Sequence, residues 1–225
     1  MRNNFEQELQ LLHEKLTAMG GMCDKAIACA VKALLENDRA LAENAYETER
    51  EIDSMERDIE RLCLKLILRQ QPVAKDLREI SAALKMITDM ERIGDQAADI
   101  AELTNYADLS VVTGAGHISA MAKATVEMVT NSIESFVQKD ESLAREVIAH
   151  DDVVDDLFSK IKSEIILDIV REARLPENVS ASIDDIKKNS EAEIDLLMIA
   201  KYLERIGDHA TNIAEWVLFS ITGTR

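Results

Sequence analysis

Glu91-Arg92-Ile93-Gly94-Asp95 returns 113 residues later as Glu204-Arg205-Ile206-Gly207-Asp208. Each copy lies in a long run whose apolar residues recur every three or four positions, so each reads as part of an amphipathic helix. Residues four apart share a helix face, which sets Glu91 beside Asp95 and Glu204 beside Asp208. A glycine inside a helix costs about 1 kcal/mol relative to alanine. Accepting that cost twice, at the same place in the same five letters, points to a close approach by another helix or to a ligand that needs room. It also makes internal duplication the first question about the fold.

The duplication extends outward from these two stretches. Val31, Leu34, Leu35, Asp38, Leu41 and Ala42 match Ile133, Phe136, Val137, Asp140, Leu143 and Ala144 at a constant offset of 102. Pro72 and Pro176 stand 104 apart, so about nine residues are added between Pro176 and the second motif. Apolar periodicity predicts six helices, over about 3–35, 38–70, 73–107, 117–137, 140–173 and 183–221. Asp38 and Asp140 supply helix starts, and Pro72 and Pro176 force boundaries. Residues 109–116 and 177–182 read as connectors, and Gly20-Gly21 marks a kink or a close contact within the first helix. The expected fold is all-α: two tandem three-helix bundles, residues 1–109 and 110–225, forming an elongated six-helix protein. At about 1.5 Å per residue the longer helices would span roughly 45–50 Å. Two slender bundles, which can share an interface, are expected in preference to one thick core.

The 225 residues are 47% hydrophobic with only two prolines, which suits long helices with a real core. The formal charge of -17, without a basic patch, argues against nucleic-acid binding. Cys23, Cys29 and Cys63 form no CxxC pair, fitting small buried hydrophobes in a reducing compartment. The chain opens on a charged amphipathic helix where a signal peptide would be apolar, and no apolar run is long enough to span a membrane. A soluble cytoplasmic protein is the expectation.

Each unit carries two carboxylate pairs at helical spacing: Glu49/Asp53 and Glu91/Asp95 in the first, Asp151/Asp155 and Glu204/Asp208 in the second. Asp99 lies one turn beyond Asp95, where the second unit has Asn212. Carboxylates on facing helices repel, and protonation or a bound cation relieves the repulsion. Hard ions (Mg²⁺, Mn²⁺, Ca²⁺ or iron) suit such oxygen donors; Zn²⁺ is less natural without clustered Cys or His. A classical di-iron bundle would need Glu-x-x-His, which is absent. His150 and His209 adjoin Asp151 and Asp208, but adjacent positions do not share a face, so both read as surface or edge residues. An acidic chain also yields such pairs by chance, with Arg92 and Arg205 balancing a solvated face. Metal patch and solvated face both stand at this level. No nucleophile–base set or phosphate-cradling glycine loop is present, so catalysis is not expected.

These four acidic elements, in this tandem three-helix order over nearly the whole chain, resemble the PhoU family. The resemblance implies a cytoplasmic accessory protein that restrains high-affinity phosphate uptake and phosphate-starvation signalling. Its implied partners are the ATPase of the phosphate ABC transporter and a sensor histidine kinase, with peripheral recruitment to membrane complexes. Some family members carry multinuclear iron or other metal clusters on these motifs. By that analogy Glu49, Asp53, Glu91 and Asp95, with Asp99 as an extra ligand, would form one metal patch. Asp151, Asp155, Glu204 and Asp208 would form the other, altered by Asn212. A metal-binding or storage protein is the alternative, and the long helical faces also allow a homodimer.

Overall fold

The computed structural model describes residues 2–70, 72–106, 115–172 and 183–224. They form six helices: α1 Arg2–Glu36, α2 Arg39–Gln70, α3 Ala74–Leu103, α4 Ala115–Gln138, α5 Glu141–Glu172 and α6 Ile183–Thr222. The expected boundary at 109/110, most of the 109–116 connector, Pro176 and residues 177–182 lie outside the described residues.

The duplication is written most plainly in the α1–α2 and α4–α5 turns. Asn37 and Lys139, matched at the offset of 102, both take left-handed backbone angles, φ 51° and 57°. The next residue then closes the preceding helix: Asp38 N–H donates to Ala33 O and Asp140 N–H to Ser135 O, each at 2.9 Å. The same aspartate opens the following helix. Asp38 Oδ1 accepts from the N–H groups of Ala40 and Leu41 at 2.8 and 3.4 Å, and Asp140 Oδ1 from Ser142 and Leu143 at 2.9 and 3.1 Å. Between α2 and α3, Pro72 cannot donate to a helical ladder, and extended Val73 (φ -73°, ψ 166°) starts the next helix. α3 ends at Leu103, short of the expected 107. Thr104, Asn105 and Tyr106 tighten instead into a turn whose N–H groups bond three residues back, at 3.0–3.1 Å.

Within each unit every helix packs on the other two; between units α3 packs on α6 and α1 on α4. α2 and α5 are therefore the outer helices of a broad layer built from α1, α3, α4 and α6. Both contacts between units run antiparallel. Asp89 meets His209 while Asp99 lies near Arg205, and His13 stacks edge-on to Phe136 while Asp24 accepts from Thr130.

The two bundles share an extensive interface, and the less expected arrangement holds at their cores: buried residues of all six helices form one continuous apolar cluster. The inner helices face two neighbours and need stripes wider than one side. α3, for example, buries the adjacent pairs Ala82/Ala83 and Met86/Ile87 as well as Met90 and Ile93. Gly20 is one close contact of this seam, its missing Cβ leaving room for Ile133 of α4, while Gly21 has open space beside it. α1 runs unbroken through both. The seam also holds a polar node. Buried Glu79 of α3 takes hydrogen bonds from His13 Nε2 of α1 and from Lys139 Nζ in the α4–α5 turn, both at 2.7 Å. Burial works against its charge, but these two partners bring its carboxyl below the ordinary value. Cys23 and Cys63 are buried as expected, Cys29 only partly, and burial raises the two buried thiols, Cys63 to about 12.

Candidate functional site: two acidic hairpin faces

In the first unit α2 and α3 run antiparallel and close, because Gly94 faces Ile52. A Cβ at Gly94 would stand 3.0 Å from Ile52 Cδ1 and 3.3 Å from its Cγ2. Around this contact α2 presents Glu49, Asp53 and Glu56, and α3 presents Glu91 and Asp95. Their influence on one another locates them on one face. Glu49 is raised by partial burial and then by Asp53 and by Asp95 across the hairpin. Glu91 is raised by burial and by Asp95, against the pull of Arg92, with Glu56 and Asp53 adding from α2. Glu56 is raised by burial, then Asp53 and Glu60. The sequence reading missed Glu56, although it stands seven residues from Glu49 and three from Asp53 and so repeats the same helical face.

The second unit repeats the arrangement. Asp151 and Asp155 on α5 face Glu204 and Asp208 on α6. Burial, followed by Asp155, Asp208, Asp152 and Glu204, pushes the Asp151 carboxyl up to about 6. Asp208 is raised by burial and Glu204. Here the glycine makes room for a carboxylate: a Cβ at Gly207 would stand 3.3 Å from Asp151 Oδ1 and 3.4 Å from Val154 Cγ1. The close atoms belong to α5, so the helix approach expected of the glycines holds in both units. The faces also differ. At the offset of 102 Glu56 corresponds to Phe158, whose ring lies 5.6 Å from the Lys201 ammonium.

Nearby bases occupy part of each face. Arg92 Nη1 donates to Asp95 Oδ2 at 2.9 Å and its Nε lies 3.4 Å from Glu91 Oε2; Arg57 is 3.6 Å from Asp53; Lys201 pairs with Glu204. The donors are all carboxylate oxygens, the chemistry of a hard cation, and their mutual repulsion favours one. Among the described residues, however, no three His, Cys, Asp or Glu side chains are gathered as an ion-holding group. The chemistry fits a hard ion; its binding requires the basic side chains to be displaced and the carboxylates drawn in.

Asp99, one turn beyond Asp95, continues the first face toward the seam between units, and Asn212 lies at that seam. Asp99 is raised by burial, Asp95 and Glu102, and feels Arg205 of α6. Asn212 Nδ2 donates to Asp89 Oδ1 of α3 at 3.3 Å, and His209 Nδ1 meets the same oxygen at 2.9 Å. His209 is therefore no mere surface residue: one position on from Asp208, it points away from the acidic face and into the contact with α3.

The sequence matches the PhoU domain twice, over residues 16–104 and 118–217, and so across most of both units. The chain belongs to the PhoU family. It is 36% identical to the phosphate-specific transport system accessory protein PhoU homolog of Clostridium acetobutylicum, over 99% of this chain and 96% of that protein. The Pseudomonas aeruginosa homolog is 31% identical over 98% of this chain and 86% of its own length. The crystal structure of PhoU from Pseudomonas aeruginosa superposes with a TM-score of 0.84 at 31% identity, covering 98% of this chain and all of that one. A phosphate transport system regulatory protein PhoU from Streptococcus pneumoniae shares the fold, with a TM-score of 0.82 at 24% identity. Among the described residues of this PhoU-family chain, no helix is long and apolar enough to cross a membrane.

Proposed function

We propose that this PhoU-family chain is an accessory protein of a phosphate-specific transport system that restrains phosphate uptake and the phosphate-starvation response by protein contact. The observation that carries the reading is the acidic hairpin face, built once in each unit of a chain that matches the family along its length. Two acidic faces held on one continuous core are suited to basic faces of a partner. The partners proposed are the transporter's ATPase and a phosphate-responsive sensor kinase, met at the cytoplasmic side of the membrane. Binding would bias their conformational equilibria, and the chain itself would do no catalysis.

Glu49, Asp53, Glu91 and Asp95 on one side, and Asp151, Asp155, Glu204 and Asp208 on the other, would hold a hard metal ion where one is used. The ion would supply positive charge that lets the faces bridge to acidic or phosphorylated groups. Disruption in the native host should raise phosphate uptake and starvation-gene expression at high phosphate. Purified chain should retain the ATPase or kinase in a pull-down, run with and without chelator. Unchanged uptake and expression, together with no association in either pull-down, would sink the reading. The facing carboxylates of Asp151, Asp155, Glu204 and Asp208, all oxygen donors, favour metal binding or storage as a second reading. Stoichiometric metal retained by the pure chain, with no partner bound, would select it.

A further inference from the structure

We propose that the tip of the α2–α3 hairpin is a docking surface for an anionic lipid bilayer. Between residues 61 and 78 the chain carries Arg61, Lys65, Arg69, Lys75 and Arg78 against a single acid, Asp76, in a protein whose overall charge is -17. Leucine and valine side chains stand out at the same place. Leu68 is 80% exposed and Val73 66%, with Leu64 and Leu77 exposed beside them. Arg61 is paired with Asp58 and Lys65 with Glu8 at 2.5 Å, whereas neither Arg69 nor Lys75 has a carboxylate partner among the described residues.

Apolar side chains at a chain reversal, collared by bases, match the two attractions of an anionic membrane surface: insertion of the apolar tip and pairing with headgroups. Leu68 and Val73 stand on either side of the chain reversal, with Arg69 and Lys75 next to them in sequence, so apolar and basic groups meet the same surface together. The acidic remainder of the chain is repelled by the same surface, so only this end approaches it. The second unit supplies an internal comparison. Ile166 and Val170 repeat the exposed apolar positions of Leu64 and Leu68, but Ser163 and Leu167 replace Arg61 and Lys65, and Glu164 and Asp168 stand between them. Arg171 repeats Arg69 but is paired with Asp168 at 3.0 Å, so among the described residues the second hairpin lacks the unpaired base that Arg69 supplies in the first. This inference is independent of the proposed regulatory partners.

The test is co-sedimentation of the full chain with phosphatidylcholine vesicles, with and without phosphatidylglycerol, at about 0.1 M and about 0.5 M salt. Sedimentation should require phosphatidylglycerol and fall at the higher salt. R69E/K75E should weaken it at least about twenty-fold, given what each basic group contributes at an anionic surface. L68S/V73S should weaken it as well, and circular dichroism of both variants should match the parent because all four side chains are exposed. No sedimentation, equal sedimentation with neutral vesicles, or full binding by R69E/K75E would overturn the proposal. Tighter, Arg69- and Lys75-dependent capture by polyglutamate than by vesicles would assign the tip to acidic protein and overturn it too.

Discussion

Gly94→Ala and Gly21→Ala make the same chemical change in two helices and should move stability in opposite directions. Alanine is better than glycine inside a helix by about 1 kcal/mol at both positions. At Gly21 a new methyl meets nothing within 4 Å, so that gain should appear in full. At Gly94 the methyl would lie 3.0, 3.3 and 3.6 Å from three atoms of Ile52, which is fully buried. Turning χ2 of Ile52 can move Cδ1, but Cβ is fixed by the α2 backbone and the strong χ1 preference of a β-branched residue in a helix holds Cγ2, so the helices themselves must part. Overpacking of this kind costs about 1–3 kcal/mol, leaving Gly94→Ala about 1 kcal/mol below the parent once the helix gain is credited. The two variants should then differ by about 2 kcal/mol, or roughly 4–8 °C in Tm for a chain of this size. Urea and thermal unfolding followed at 222 nm measure this directly. Adding Ile52→Val, which removes Cδ1, should recover part of the loss in Gly94→Ala while destabilising the parent. Gly94→Ala as stabilising as Gly21→Ala would refute the argument that the glycine exists for helix approach.

Three further expectations rest on other parts of the structure. Glu79→Ala strips His13 and Lys139 of their shared partner; because Lys139 is partly in solvent, the cost should be about 2 kcal/mol, less than for a fully buried pair, read from the urea midpoint. Asp151 titrates at about 6 in the fold against an ordinary 3.8, so the native state holds its proton more tightly than the unfolded chain. Its contribution therefore falls as pH rises from about 4 to 6, and Asp151→Asn should flatten that part of the stability–pH curve and stabilise the protein at neutral pH. Asn212→Asp would set a second carboxylate against Asp89, so it should lower Tm at neutral pH and recover in acid. An increase in metal affinity without loss of stability would instead return Asn212 to the acidic face.

Local chemistry made most of the fold legible. Asp38, Asp140 and Pro72 mark their turns by capping and by a missing donor, and the heptad-like series place the buried faces. The single core was hidden because attention to one residue per turn passes over the doublets, such as Ala82/Ala83 and Met86/Ile87, that betray a helix with two neighbours. Both acidic faces were readable from spacing, and Glu56 would have followed from extending the same face by one more turn. The Asp89–His209–Asn212 contact was not readable. Its members lie 120 and 123 residues apart, and no local pattern announces a pairing made only when two units dock. Knowing that His209 faces away from Asp208 was sound; what it faces instead depends on α3.

The α4–α5 turn has a consequence for how the halves recognise one another. Asn37, a residue that tolerates left-handed backbone, holds the turn of the first unit, but Lys139 holds the matching turn of the second, at roughly 1 kcal/mol of backbone strain. Its ammonium reaches across to Glu79. Were two first units to pair in the same manner, Glu79 of each would face an asparagine in place of Lys139 and keep only His13 of its own unit. The duplicated halves are thus addressed to each other as unlike partners. Covalent linkage of the two unlike halves thus secures a pairing that two copies of the first unit would make less well, and gives the molecule a fixed left and right.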